Sequence, residues 1–360
     1  MDNVSLRKDN SFNAIRLICC LLIIIGHSMD LSETGHYWVF IRKYLIHLND
    51  CVYVFFILSG FFVTRSYLAK KNNGMSVEKF YRHRASRLLP SYYITIALST
   101  IGFFGVLHWL YNCNAEDYFG SVHFWKYLLS SIFTLNFICP SPVSESYTNG
   151  TFAGFALNGS MWTMKIEIGF YIVLPLLVFS LERMNTKKFK NIFLTALYIL
   201  SIFWKYSLRY LGGKNNSGIF FSLSDQLPGY AAYFISGIII VYNWEFINTK
   251  LNKLVIPALI FYLLHFVTKT EILVPLSLSI CVFWIGLKCR QISKIGGGED
   301  YSYEMYLFHW PLIIYCVQGD MFDKVPALTI VMIIATSFLY AYLIHALLKS
   351  IKYRKNIYAV

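Results

Sequence analysis

Charge is what this sequence has least of: 14% of its 360 residues are Asp, Glu, Lys or Arg, against roughly 25% in a soluble domain. A fully hydrated surface is therefore excluded. Metal-ligand spacings of cysteine and histidine are missing, and so are a Walker-type glycine loop, a dinucleotide fingerprint and a short internal repeat. "KIGGGED" at 294 to 300 is a glycine-rich turn and is weak evidence of phosphate binding on its own. The eight cysteines carry little chemistry. Cys19, Cys20, Cys51, Cys281, Cys289 and Cys316 lie in or beside apolar segments, where the thiol behaves as a small hydrophobe. Cys113 and Cys139 could share an oxidising compartment and pair, which spacing alone does not establish.

Apolar residues take the place of charge. The chain is 56% hydrophobic and 18% aromatic, with a mean hydropathy of +0.50. Successive apolar stretches reach the roughly 17 to 25 residues that a helix needs to cross the hydrocarbon layer. A closed β-barrel would show short alternating segments, not continuous runs such as "YAAYFISGIIIVY". The fold class expected is an all-α, polytopic helical bundle.

The net charge of +13 clusters in loops. The connector from Arg65 to Arg87 holds seven basic residues against Glu78, and Arg183 to Lys190, Lys288 to Lys294 and Lys349 to Lys355 form further clusters. These are positive-inside signals, not a nucleic-acid surface. They place both termini in the cytoplasm, with ten spans near residues 12–31, 51–68, 88–110, 161–180, 190–206, 226–242, 254–268, 272–287, 302–317 and 327–347. Residues 122–138 read best as a re-entrant or surface-lying helix, since an eleventh crossing would move the 182–190 basic loop outside. The polar, nearly uncharged loop 139–160 suits the outer side. A single domain over 1–360, without a cleavable signal peptide or a second soluble domain, is expected.

Three helices carry ionisable groups inside this apolar frame. Arg16 and His27 are eleven residues apart, about 16 Å and three turns, so both project from nearly one helix face. Two readings stand for the pair: a snorkelling cation and an interfacial cap, or two ends of a site. Arg84 and Arg87 are spaced i, i+3 at the start of the third span, on one face at the boundary where Arg16 lies. As anchors they need no ligand, but arginine's planar fork also suits bidentate phosphate contact. In "SMWTMKIEIGFYIVLP", Glu167 is an intramembrane carboxylate at the depth of His27, either a structural ion-pair member or the partner of a base. His309, before Trp310 and Pro311, either satisfies a kinked backbone or lines the site. Ser59 beside Gly60 marks close helix packing or a ligand contact, and Trp162 is a further candidate wall residue.

Taken in order, the spacing Arg16-x10-His27, "FFILSGFFV", "RASRLLP", "MWTMKIEIGFYIVLP" and "SYEMYLFHWPL" resemble the acyltransferase-3 family of integral membrane acyltransferases over almost the whole chain. The resemblance implies transfer of an acyl group, acetyl by default, from acetyl-CoA to a hydroxyl of a surface glycan such as O-antigen or exopolysaccharide, or of its lipid-linked precursor, at the bacterial inner membrane. It implies that His27 is the essential residue and that Arg16, Arg84 and Arg87 are determinants of the acyl donor, with no metal. Two departures stand out: Ala14 occupies a position that is basic in many members, and Glu167 is followed by Ile168 and Gly169 where many have a second carboxylate and a glutamine.

The mechanism expected sets the donor's phosphates against Arg16, Arg84 and Arg87 and its thioester near His27, with Glu167 orienting that imidazole. His27 then acts either as general base toward the acceptor hydroxyl or as a transient acyl carrier. The competing class is a secondary transporter or lipid-linked sugar flippase. No pair of matching broken helices supports it, and the arginines gather at one face instead of the midplane.

Overall fold

The structure, a computed structural model, describes residues 10–32, 47–134 and 157–357. Its described residues are helical, without strands. In chain order the α-helices are α1 (Phe12–Leu31), α2 (Leu48–Asn72), α3 (Val77–Tyr111), α4 (Ala115–Phe119), α5 (Val122–Ile132), α6 (Trp162–Glu182), α7 (Lys187–Asn215), α8 (Gly218–Ser224), α9 (Leu227–Tyr242), α10 (Trp244–Thr268), α11 (Val274–Lys288), α12 (Ser302–Gln318), α13 (Met321–Lys324) and α14 (Pro326–Ile357). Short 3-10 turns precede α6 and α12, at Gly159–Met161 and Arg290–Gly298.

Each of the ten stretches expected to span is helical, and among the described residues seven helices are long and apolar enough to cross a bilayer. The three shorter ones, α9, α11 and α12, run 16, 15 and 17 residues, about 22 to 26 Å of rise. The exposed faces are apolar as well. α10 buries only Ile247, Leu251 and Ala258 while exposing Ile256, Leu259, Ile260, Leu263, Leu264 and Val267. In water such a face would aggregate, and in lipid it is the required surface. The chain is a multi-pass membrane protein.

Within the 122–138 segment the described residues form α5 over 11 residues, a rise of about 16 Å and so roughly half the hydrocarbon thickness. Ser121 caps its start, the Oγ accepting from the amide of Phe124 at 3.1 Å. Its last carbonyls are met from α3: Tyr92 Oη donates to Ser131 O at 2.8 Å and Tyr93 Oη to Ile132 O at 3.0 Å. Residues 135–156, with Cys139 and any pairing it makes, lie outside the described residues, and the Cys113 thiol is buried.

The chain forms two compact units, and the division falls inside α1, α3 and α6. The first comprises Met1–Arg16, Asn49–Arg84 and Ile166–Gly298. A close contact in it joins α2 and α9. A Cβ on Gly60 would stand 2.1 Å from the carbonyl oxygen of Phe234, and one on Gly237 would stand 2.2 Å from that of Ile57. Backbone meets backbone there, and glycine is the residue that permits it. The packing reading of the Ser59–Gly60 pair thus holds for Gly60.

The same unit buries a cation that the sequence reading passed over. Lys205 of α7 is 2% exposed. Its Nζ donates to Glu271 Oε2 at 2.6 Å and to Tyr53 Oη at 3.3 Å, and the rings of Tyr53, Tyr230 and Tyr233 lie within 5.3 to 6.0 Å of it. Tyr206 Oη accepts from the Glu271 amide at 2.5 Å. Carboxylate, hydroxyl and ring faces together replace the water that the ammonium gave up.

The second unit comprises Leu17–Leu48, Ala85–Lys165 and Glu299–Val360. Its core joins Phe103 and Leu107 of α3 with Tyr118 of α4, Phe124 and Tyr127 of α5, Leu157 and Ile314 of α12. Removing either partner of the Lys205–Glu271 pair breaks it, but not equally: the Glu271 side chain keeps 24% exposure and the Lys205 side chain 3%. Glu271→Gln should therefore cost about 3–5 kcal/mol, the range for an uncompensated buried charge. Lys205→Met, which removes the buried charge itself, should cost less. Thermal unfolding of the two variants in detergent checks the order, and a lower midpoint for Lys205→Met would refute it.

Candidate functional site

Sequence-expected site residues fall in both units, and each unit gathers its own set. In the second unit the set is built on α12, whose Pro311 lacks an N–H. That proline cannot bond the carbonyl of Leu307, four residues back. The side chain of Asn158 does so instead, its Nδ2 donating to Leu307 O at 2.7 Å. One residue earlier, Tyr306 O accepts from Ser160 Oγ at 3.2 Å and from His309 Nδ1 at 2.7 Å. Ser160 Oγ also lies 2.7 Å from Asn158 Oδ1. The Tyr306 hydroxyl donates to Ser160 O at 3.0 Å and accepts from Thr163 Oγ1 at 3.1 Å. The Gly159–Met161 turn and the start of α6 are thus stitched to the kinked segment of α12.

This stitching fixes the aromatic surroundings of His27. Its ring stacks on that of His309, with centroids 5.6 Å apart and planes 17° from parallel, and meets Trp310 edge-on at 4.8 Å. Trp310 in turn lies on Gly159, where a Cβ would come within 2.5 Å of the indole. His309 is fully buried. Because a carbonyl only accepts, the proton of the Tyr306–His309 bond is on Nδ1. Nε2 is buried and has no hydrogen-bond partner among the described residues.

In the first unit, Glu167 accepts a hydrogen bond from Tyr171, one turn on along α6. Tyr171 Oη accepts from Ser59 Oγ at 3.2 Å. The Arg84 guanidinium lies 5.5 Å from the Tyr171 ring and 5.6 Å from that of Phe80. One cluster therefore holds Ser59, Tyr171, Glu167 and Arg84, with the cation over the ring whose hydroxyl meets the carboxylate. Arg16 lies 5.4 Å from the centroid of Phe62. Rings beneath arginines are suited to guanidiniums that also face an anion, since the donors lie in the guanidinium plane and not toward the ring.

Arg87 belongs to the second unit, exposed, with Nη2 3.8 Å from Asp300 Oδ2. Asp300 uses its other oxygen at the start of α12, accepting from Ser302 N at 3.3 Å and Ser302 Oγ at 2.5 Å. The acidic end of "KIGGGED" is thus a helix-start cap. A solvent-exposed pair of this kind is worth about 0–1 kcal/mol, so it does not commit Arg87. Trp162 is half-buried at the first turn of α6. Among the described residues no group of three or more His, Cys, Asp or Glu could hold a metal ion.

Tyr171, Asn158, Ser160 and Trp310 are the members the sequence reading missed. Tyr171 was within reach, because i, i+4 spacing from Glu167 puts the two side chains on one helix face. Asn158 and Ser160 lay in a loop read as polar and external, and both are buried.

A family model described as an acyltransferase domain matches residues 9–346. An O-acetyl transferase of Shigella phage Sf6 is 26% identical over 319 residues, 85% of this chain and 85% of that protein. Nodulation protein 10 of Rhizobium leguminosarum bv. viciae is 27% identical over 47% of this chain and 44% of its own length. Peptidoglycan O-acetyltransferase OatA of Listeria monocytogenes is 26% identical over 54% of this chain and 29% of its own length. No solved structure matches.

The contact between Gly159 and Trp310 gives a direct check. Gly159→Ala should push the indole away, destabilise the protein by about 1–3 kcal/mol as overpacking does, and shift tryptophan emission. Gly105→Ala on α3, where a Cβ meets nothing within 4 Å, should change neither. Unaltered emission in Gly159→Ala would contradict the placement of Trp310.

Proposed function

The chain belongs to the acyltransferase-3 family, and from that premise we propose that it moves an acetyl group from cytoplasmic acetyl-CoA to a hydroxyl of a cell-surface glycan or its lipid-linked precursor. As a family member it is an integral membrane O-acyltransferase. Relatives named O-acetyl transferase and peptidoglycan O-acetyltransferase support acetyl as the group and a glycan hydroxyl as the destination. The basic clusters support cytoplasmic termini, with the protein in a bacterial inner membrane.

The observation that carries the proposal is on α1. One uninterrupted helix holds Arg16 near its start and His27 near its end, with about 16 Å between them. That separation divides anion recognition from chemistry. In this reading Arg16, Arg84 and Arg87 bind the phosphates of the donor at the cytoplasmic boundary, and a flexible arm reaches along the helix to His27. His309 and Trp310 cover two sides of the half-buried imidazole and so fix the direction from which a thioester can approach it. The imidazole of His27 is the group that meets the thioester, as base or as acyl carrier. Glu167 with Tyr171 and Ser59 supplies a polar hydroxyl and carboxylate surface inside an apolar helix, the chemistry that a sugar requires of its surroundings.

Purified protein given radiolabelled acetyl-CoA and membrane glycan should transfer label to the glycan. His27→Ala should lower that rate by at least about 100-fold, the minimum expected of a lost acid–base group, with thermal stability retained. A stable His27→Ala protein of normal activity would refute the assignment. A transporter would leave the thioester intact in every sample.

A further inference from the structure

The imidazole of His309 lies against that of His27 and has no part in the steps above. Its surroundings leave one nitrogen unused. Nδ1 donates to Tyr306 O at 2.7 Å, so in the neutral ring Nε2 is a bare lone pair. That nitrogen is fully buried and meets no hydrogen-bond donor among the described residues. An unmet buried polar atom is costly enough to be uncommon in native structures and invites an explanation. Backbone repair does not supply one. Asn158 already meets the carbonyl that Pro311 leaves open, and Ser160 already donates to Tyr306 O. What Nε2 lacks is a donor from a ligand, beside the ring of His27 at 5.6 Å.

Chemistry narrows that ligand to a hydroxyl. An imidazole that holds an acyl group on one nitrogen is a poor base, and it cannot deprotonate the nucleophile that attacks its own acyl carbon. A second base is required next to it. We propose that His309 Nε2 receives the acceptor hydroxyl and takes its proton, while His27 carries the acyl group; this rests on the placement of His27 at the thioester. In the first step a His27 nitrogen bonds the thioester carbon, the C–S bond breaks, and the thiolate leaves with the proton that His27 loses from its other nitrogen. In the second step the hydroxyl proton passes to His309 Nε2, the oxygen bonds the acyl carbon, and the bond from that carbon to His27 breaks. The proton on His309 then passes to the His27 nitrogen that the acyl group has left, restoring both neutral rings.

Asparagine separates the two nitrogens of His309. In His309→Asn the side-chain amide can keep the donor to Tyr306 O but offers no lone pair at the position of Nε2. Using the full-length protein in detergent, thiol release is measured with acetyl-CoA alone, and label transfer is measured with surface glycan added. His309→Asn should unfold near the wild-type temperature and release about one thiol per protein as the wild type does. Its transfer to glycan should fall by about 100-fold or more. Transfer at the wild-type rate overturns the proposal. So does a folded variant with weakened thiol release or a raised KM for acetyl-CoA, since the nitrogen would then serve an amide N–H of the donor. Should His309→Asn fail to fold, His309→Ala with added imidazole replaces it: recovered transfer supports the base, and no recovery in a folded protein opposes it. A wild-type protein that releases no thiol without glycan overturns the division between the two histidines and leaves His27 at the thioester. An active His27→Ala overturns the underlying reading itself.

Discussion

Pro311 takes one donor out of α12, and the way the surrounding residues answer that loss determines the geometry around His27. In an apolar medium a backbone carbonyl must find a partner. Asn158 provides it for Leu307, and Ser160 and His309 provide it for Tyr306. The consequence is a fixed tautomer for His309, a fixed turn at Gly159 and a resting place for Trp310 on that glycine. The ring of His27 then meets two aromatic neighbours whose positions follow from hydrogen bonds to the backbone. The proton on this buried imidazole is placed in the same segment, by the bond from His309 Nδ1 to Tyr306 O.

The first unit uses the same economy of polar groups on a different scaffold. Gly60 and Gly237 bring α2 and α9 to backbone contact, and Phe170 stacks on Phe234 at 4.3 Å beside that crossing. Close packing of this kind supports polar groups that would otherwise be too costly. Lys205 is held by Glu271 and three tyrosine rings, and Glu167 by Tyr171, with Ser59 and Arg84 next in contact. Aromatic faces recur beneath cations at Arg16, Arg84 and Lys205. A ring face tolerates a positive charge without supplying a counter-ion, and the two arginines so placed are among the three assigned to the donor's phosphates.

Most of the architecture was legible because apolar length and loop charge are one-dimensional signals. Every stretch read as a span is helical, and α5, read as something other than a span, is 11 residues long. The network around His27 was less visible for a definite reason. Its members are polar residues of the 157–163 segment whose burial depends on a proline about 150 residues further along, and no local pattern links Asn158 to Leu307. Lys205 is a different case. An ionisable residue inside an apolar run is a signal in itself, and "SIFWKYSLRY" contained it, but its partner Glu271 lies in a connector that reads as ordinary polar loop. The acidic end of "KIGGGED" likewise acts as a cap for α12 and as a neighbour of Arg87, a role set by the fold and not by its glycines.

The central claim is that an acetyl group crosses from a thioester to a glycan hydroxyl through His27. NMR of surface polysaccharide tests it most directly, in cells that lack the gene, carry it intact or carry it as His27→Ala. The intact gene should add O-acetyl resonances at a defined hydroxyl, and the other two strains should lack them alike. O-acetyl signals of equal strength in the His27→Ala strain, with the variant present in the membrane at normal abundance, would contradict the account.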